Sequence, residues 1–288
     1  MNKIIRNIRS SLKMNQKEFG GLLGITFTTV NRWENGHSVP KPKMQEQIYS
    51  LCKENGISMY DMILEKIESI KNSIEISDNH ILLYHGSKAG IEGPIRPQSR
   101  KQCDFGKGFY MGTDPSQALT LICDYDRAKF YIMDLDISGL EQCEVYPNID
   151  WAMLVAYHRG KMERIKGSAL YKKYCEMTSG SDVVIGSIAN DRMFFVIDNF
   201  FQGALTDVAL VNSLSALELG KQYVVITDKG CEHVRIAAEV SLSYMERLCI
   251  QEVAVSNRVK GVSLANDICK NYRREGQFFD ELLESAEG

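Results

Sequence analysis

A left-handed break between two short helical stretches constrains this chain more than any other feature. Residues 16–23 read as a short helix, Gly24 is suited to the left-handed conformation that closes it, Ile25 fills the turn, and Thr26 offers a hydroxyl to cap a second helix from Phe27. The local reading is helix, tight turn, helix. Val30 and Trp33, three apart, bury one face of the second helix, whereas Phe27, Thr28, Asn31 and Arg32 project from its N-terminal part and other side. Asn35 and Gly36 stop the helix, and Pro40 and Pro42 shape the exit.

Charge separates this segment from the rest. Residues 1–60 carry nine Lys/Arg against four Asp/Glu, a net +5 that leaves the remainder at −8, so a basic module is joined to something with a different partner. The stretch "NQKEFGGLLGITFTTVNRWENG", residues 15–36, resembles the phage-repressor-like (XRE) helix-turn-helix family nearly throughout. The resemblance implies that residues 1–60 bind double-stranded DNA. It puts Gln16 on phosphate, turns Phe27, Thr28 and Arg32 to base edges with Asn31 beside them, and pairs Arg9 internally with Glu34. Arg32 can donate bidentately to guanine, and Phe27 can meet a thymine methyl. The other reading of the same residues is a three-helix bundle that has become a protein-contact module.

Residues 61–79 continue as a polar helical stretch in which Ile63, Ile67, Ile70 and Ile74 recur at spacings of four, three and four. Such a stripe packs on its own domain or zips against a second subunit to give a homodimer.

From residue 80 the texture changes. Short apolar runs at 81–84, 109–111, 130–135, 183–188 and 222–227 read as strands, and 116–123, 150–157, 169–177, 192–201 and 207–219 as helices. The two are mixed without regular alternation, which predicts an α+β domain over 80–238. No G-x-G-x-x-G follows a strand and no P-loop is present, so a Rossmann or P-loop nucleotide site finds no support. No apolar run reaches membrane-span length, the N-terminus has no signal-peptide core, and the 8 cysteines show no C-x-x-C pairing or zinc spacing. A cytoplasmic protein with reduced cysteines and no metal is expected. Residues 239–288 read as a helical extension with Tyr244, Leu248 and Val253 on one side, covering the domain or docking a partner. His37, His80, His158 and His233 have no companion at catalytic spacing, and Trp151 reads as core.

Three segments stand out chemically. Tyr84-His85-Gly86-Ser87 ends a strand and sets an imidazole beside a glycine backbone that a ligand can approach. In the run 104–114, Gly106 and Gly108 free a loop ahead of a strand bearing Tyr110, and Gln222 stands at the mouth of an apolar strand.

In this order, "YHGS", "FGKGFY" and "QYVVI" resemble the three motifs of the His-Tyr-Glu class of ADP-ribosyltransferase folds. They are closer still to a bacterial branch reading "DFGKGFY", which residues 181–186 with Asn190, Asp191 and Arg192 also resemble. The resemblance, over 81 to about 230, implies a split β-sandwich that takes NAD as substrate, following the all-α helix-turn-helix bundle expected at the N-terminus. His85 would then hold the adenosine ribose and Gly86 the nicotinamide carboxamide. Tyr110 would stack on the nicotinamide ring, with Ser87, Gly106 and Gly108 lining the groove. Nicotinamide leaves behind a positive ribose, so such a site clamps both ends of NAD and excludes water.

Two departures qualify what carries over. Leu121 stands where many members have a second aromatic; Tyr125 substitutes for it, or the ring is gripped on one face only. Gln222 replaces the acid, and a neutral amide can bond a ribose hydroxyl but neither offsets positive charge nor takes a proton. Gly220 also lacks the carboxylate or amide of arginine-modifying toxins. The readings are mono-ADP-ribosyl transfer to an unknown acceptor, in a toxin-antitoxin or phage-defence setting; NAD sensing without catalysis by a transcription regulator; and NAD hydrolysis. His85, Tyr110 and Gln222 are the catalytic candidates.

Overall fold

Five helices open the chain: α1 (Asn2–Ser11), α2 (Gln16–Leu23), α3 (Phe27–Glu34), α4 (Pro42–Glu54) and α5 (Met59–Lys71). This is a computed structural model, and it describes residues 1–187, 191–216, 220–272 and 275–285. The expectations at Asn190 and at residues 217–219 lie outside the described residues.

The turn between α2 and α3 forms as its residues dictate. Asn15 caps α2 in a capping box with Glu18, Gly24 adopts φ +69°, and Thr26 caps α3 through Thr29 N–H. Gly20 makes the turn tight, since a Cβ there would lie 2.9 Å from the Ile25 carbonyl oxygen. Val30 and Trp33 are buried as expected, together with Ile4, Ile5, Ile8, Phe19 and Ile48.

The isoleucine stripe is covered by its own chain. Ile63 and Ile67 are fully buried in this core and Ile70 and Ile74 pack against it, with α5 lying on α1 and on two elements from the far end of the sequence. Each full burial stabilises by about 1.5–3 kcal/mol, so packing within the chain accounts for the buried part of the stripe. The helix ends at Lys71, short of residue 79.

Beyond it come β1 (His80–Ser87), β2 (Phe109–Gly112), α6 (Pro115–Ile122), β3 (Lys129–Asp136), β4 (Gln142–Val145), α7 (Ile149–His158) and α8 (Ala169–Glu176). There follow β5 (Val183–Ser187), α9 (Asp191–Phe201), α10 (Asp207–Ala216), β6 (Lys221–Val225), α11 (Asp228–Glu232), β7 (Val234–Val240), α12 (Tyr244–Tyr272) and α13 (Phe279–Glu284). The class is α+β. One mixed sheet, in the order β4-β5-β6-β2-β1-β3-β7, stands where the resemblance implied a split sandwich, and among the described residues only β4 and β5 run parallel. The sheet is nearly split, however. β1 joins β2 through the single pair Tyr84↔Gly112, whereas it runs beside β3 over its whole length from His80↔Asp136 to Ser87↔Lys129.

Two strands escaped the sequence. β4 and β7 lie at the sheet edges, and Glu144, Arg235 and Glu239 interrupt their apolar character. The C-terminal segment is no peripheral cover. Helix α12 packs against α4, α5 and α6 and against α9 and α10, so it ties the helix-turn-helix region to the sheet domain. Lys66 pairs at 2.8 Å with the fully buried Glu246, Tyr49 donates to Glu252 at 2.7 Å, and Met245 N–H donates to the buried Gln45 amide oxygen at 3.0 Å.

Candidate functional site

The exposed face of α3 carries Phe27, Thr28 and Arg32 together at the surface. Behind them, Glu34 is only 3% exposed and accepts from Arg9 Nε at 2.6 Å and Nη2 at 3.1 Å, the internal pair the resemblance implied. The fork geometry suits two parallel charge-assisted bonds. Gln16 is also drawn inward: its amide donates to Glu34 Oε2 at 2.8 Å and to Asn31 Oδ1 at 3.4 Å, and Asn31 Oδ1 accepts in addition from Asn35 at 2.9 Å. The Gln16 amide therefore meets a phosphate only by giving up Asn31 or Glu34, whereas Phe27, Thr28 and Arg32 stand exposed toward a groove.

In the sheet domain the three chemical segments arrive on adjacent strands. Tyr84 of β1 pairs with Gly112 of β2, and Gly112 with Gln222 of β6, so one transverse row joins the first and third motifs through the strand that carries Tyr110. Pairing is sparse at this seam. There His85 turns its ring to the neighbouring strand: Nδ1–H donates to the Tyr110 carbonyl at 2.7 Å. A carbonyl can only accept, so the proton is on Nδ1, and in the neutral ring Nε2 is left as an acceptor. Burial lowers the His85 pKa, with the carbonyl opposing it, which favours that neutral ring. His85 stacks on Phe109 at 4.4 Å and lies 6.4 Å from Tyr131, on the face lined by Leu83, Met111 and Met133.

Tyr110 occupies the other face. It packs against the core around Trp151, Leu154 and Val224, and its hydroxyl donates to Gly106 O at 2.8 Å while accepting from Phe105 N–H at 3.0 Å. The ring of His85 thus touches the backbone of Tyr110, and the two rings face opposite sides of the sheet.

The glycines answer to packing within the protein. A Cβ on Gly86 would lie 2.5 Å from Ala118 O of α6, so the side that sequence reasoning opened to a ligand holds a helix. Gly106 takes φ +73° with its Cβ direction against the His158 ring, and a Cβ on Gly108 would lie 2.5 Å from a Val224 methyl. Ser87 Oγ donates to Gly90 O at 2.8 Å and so closes the turn after β1. Tyr125 is exposed, its hydroxyl accepting from Lys88 Nζ at 2.7 Å while the ammonium also lies 4.4 Å from the ring centroid. Leu121 is exposed on α6.

Gln222 is 4% exposed. Its Nε2 donates to Ser187 O at 2.8 Å. Arg159 Nη2 holds Asp104 at 2.6 Å, and its Nη1 lies 3.9 Å from Asp198. Burial pushes the Asp104 carboxyl upward against the guanidinium.

Asp104 and Arg159 were not singled out from the sequence, and His158 was set aside there for want of a companion. Asp104 lies inside the DFGKGFY run, which was its signal; His158 ends the apolar helix α7 and Arg159 follows it, with nothing to mark either. His158 sits against Gly106 with a buried Nε2 that lacks a partner, and burial lowers its pKa to about 4.

A family model described as a protein of unknown function (DUF3990) matches residues 81–236, and one described as helix-turn-helix matches residues 5–59. No curated protein and no solved structure matches the chain.

Proposed function

From a chain that belongs to the DUF3990 family through residues 81–236 and carries a DNA-binding type of helix-turn-helix over residues 5–59, we propose a DNA-bound regulator whose sheet domain takes NAD as substrate and transfers its ADP-ribose to an acceptor. One observation carries the reading. Segments that begin at residues 84, 104 and 222, each resembling one motif of the ADP-ribosyltransferase class, converge on neighbouring strands through the row Tyr84, Gly112, Gln222.

The chemistry of His85 agrees with this. A neutral imidazole whose Nδ1–H is held by a backbone carbonyl presents Nε2 to a hydroxyl donor, which is what a ribose offers. Gln222 supplies no negative charge for the departing nicotinamide's ribose cation. Transfer therefore suits an acceptor that is already nucleophilic, such as a thiolate or carboxylate.

A second reading, nucleotide sensing without chemistry, draws on the commitments of Gln222 and Asp104. The Gln222 amide donates to Ser187 O, and Asp104 is paired with Arg159. Incubating the full chain with labelled NAD and a cell lysate separates the readings. Label in macromolecules selects transfer, free nicotinamide without label selects hydrolysis, and thermal protection by NAD with neither product selects the sensor.

A further inference from the structure

We propose that the loop formed by residues 88–107 is a second nucleic-acid contact, a basic ridge that takes the phosphate backbone of double-stranded DNA beside the candidate site. The inference is independent of the NAD reading.

Charge singles this loop out. Residues 88–107 carry five Lys/Arg against Glu92 and Asp104, whereas residues 108–238 carry twelve against seventeen, so a net +3 interrupts a domain whose remainder is −5. Asp104 adds nothing to the exposed balance, being buried and paired with Arg159 at 2.6 Å. Arg96, Arg100, Lys101 and Lys107 are all exposed, and none of the four side chains makes an ion pair or a hydrogen bond among the described residues. By contrast Lys173, Lys221 and Lys229 of the same domain hold Asp150, Glu144 and Asp182.

The backbone gathers these cations. Ser99 N–H donates to Gly108 O at 3.1 Å, Gly108 N–H donates to Ser99 Oγ at 3.0 Å, and that hydroxyl donates to Gly106 O at 3.2 Å. Arg100 and Lys107, the neighbours of these bonded residues, therefore stand side by side on two arms of the loop. The arms are brought round by turns in which Cys103 N–H donates to Arg100 O at 3.3 Å and Gly106 N–H to Cys103 O at 3.0 Å. Pro94 and Pro97 each fix a backbone torsion, and Ile91 and Ile95 pack on the core around Leu83 and Phe109. Much of the ordering cost is thus met before a ligand arrives. The loop is continuous with the candidate site, since Gly106 O accepts from the Tyr110 hydroxyl and the Phe109 ring stacks on His85.

Exposed cations without carboxylates on an ordered loop match a repeating negative charge. The diphosphate of a small nucleotide carries two charges and is held in a concave nest of donors, whereas these side chains all lie in solvent. Duplex DNA presents a charge every ~1.7 Å along its axis and takes such contacts without reading of sequence. The helix-turn-helix of the same chain brings duplex DNA to high local concentration. Both domains then meet one partner, and the ridge gives it a path to a domain whose remaining charge would repel it.

The test uses the full chain, circular dichroism establishing folding, and a duplex of random sequence titrated by fluorescence anisotropy over a series of salt concentrations. Arg100→Gln with Lys107→Gln should make the slope of log affinity against log salt shallower by about 2, and adding Arg96→Gln and Lys101→Gln should bring this to about 4. Lys161→Gln with Lys172→Gln removes two exposed charges of the same domain outside the loop and should leave the slope at its wild-type value. In calorimetric titration, wild type and the loop variants should treat NAD alike. An unchanged slope in the fourfold variant, or an equal change in the Lys161 and Lys172 pair, would overturn the proposal. So would NAD affinity lost from the loop variants with DNA binding intact, which assigns the loop to the diphosphate of NAD. The expected slopes in a protein that binds no NAD uphold the ridge and refute the NAD reading alone.

Discussion

His85 reaches across the thinnest seam of the sheet to the backbone of Tyr110, donating from Nδ1 to its carbonyl over 2.7 Å. Because β1 and β2 share one registered pair, this contact supplies cohesion that a strand ladder provides elsewhere, and it sets the tautomer of the ring at the same time.

Substitutions at His85 should therefore separate support from recognition. Asn can still donate to the Tyr110 carbonyl but has nothing in place of Nε2, while Gln reaches nearer to the Nε2 position and loses the near donor. With NAD about 100-fold above its Kd, wild type should gain about 2.7 kcal/mol. His85→Asn should stay folded and gain almost none of it, and His85→Gln should keep part. Differential scanning fluorimetry with and without NAD reads this, and full protection of the Asn variant would place NAD elsewhere.

His158 predicts an acid-side loss of stability. Its pKa falls to about 4 in the fold against an ordinary 6.5, because burial penalises the imidazolium. Between those values the unfolded chain binds the extra proton and the folded chain does not, so this contribution is complete above pH 6.5 and is lost as pH falls toward 4. The total is on the order of 3 kcal/mol. His85, whose pKa is also lowered, acts in the same direction. His158→Phe should remove most of the slope, since Nε2 has no partner to lose. Urea midpoints at about pH 7, 5.5 and 4.5 test it, and an unchanged slope in the variant would exclude His158 as the source.

Legibility from sequence follows the range of the forces. The α2 to α3 turn is readable because Gly24 and Thr26 act on their immediate neighbours, and Val30 and Trp33 follow from helical period. The three segments of the sheet domain are readable as strings, but not their mutual geometry. Alternation along β1 and β2 sends the His85 and Tyr110 rings to opposite faces, a consequence of register that no local signal fixes. The sequence suggests a ligand beside Gly86 because nothing in it says that α6 returns over that glycine. The Arg159 to Asp104 pair joins residues 55 apart and leaves no trace in either segment's composition.

The buried fork in the helix-turn-helix region should be a stability element. Arg9→Met leaves the Glu34 carboxylate, with a side chain 1% exposed, without its main partner, and removal of one member of such a pair costs about 3–5 kcal/mol. Arg32→Ala touches no such partner and should instead lose about 1–3 kcal/mol at one operator base pair with stability unchanged. Chemical denaturation and a binding-site selection on the two variants distinguish the roles; an Arg32 variant that weakens specific and random DNA equally would not be a base reader.

Gln222→Glu is the variant in which the geometry reverses what the chemistry of the isolated position suggests. Taken alone, a carboxylate there restores the missing acid, but Ser187 O requires a donor, and an ionised Glu has none. The new side chain would oppose a carbonyl in a buried place, so its folded pKa must rise. Stability is then lost as pH rises through the ordinary Glu range toward that raised value, and recovered on acidification as the protonated acid regains one donor. At pH 7 the expected cost is about 2 kcal/mol or more, for unsatisfied buried groups, shrinking toward pH 5. Nicotinamide release should not improve in this variant alone. Denaturation curves at about pH 5 and 7 decide the matter: a Glu variant as stable as wild type at neutral pH would mean that Ser187 O does not depend on position 222 for its donor.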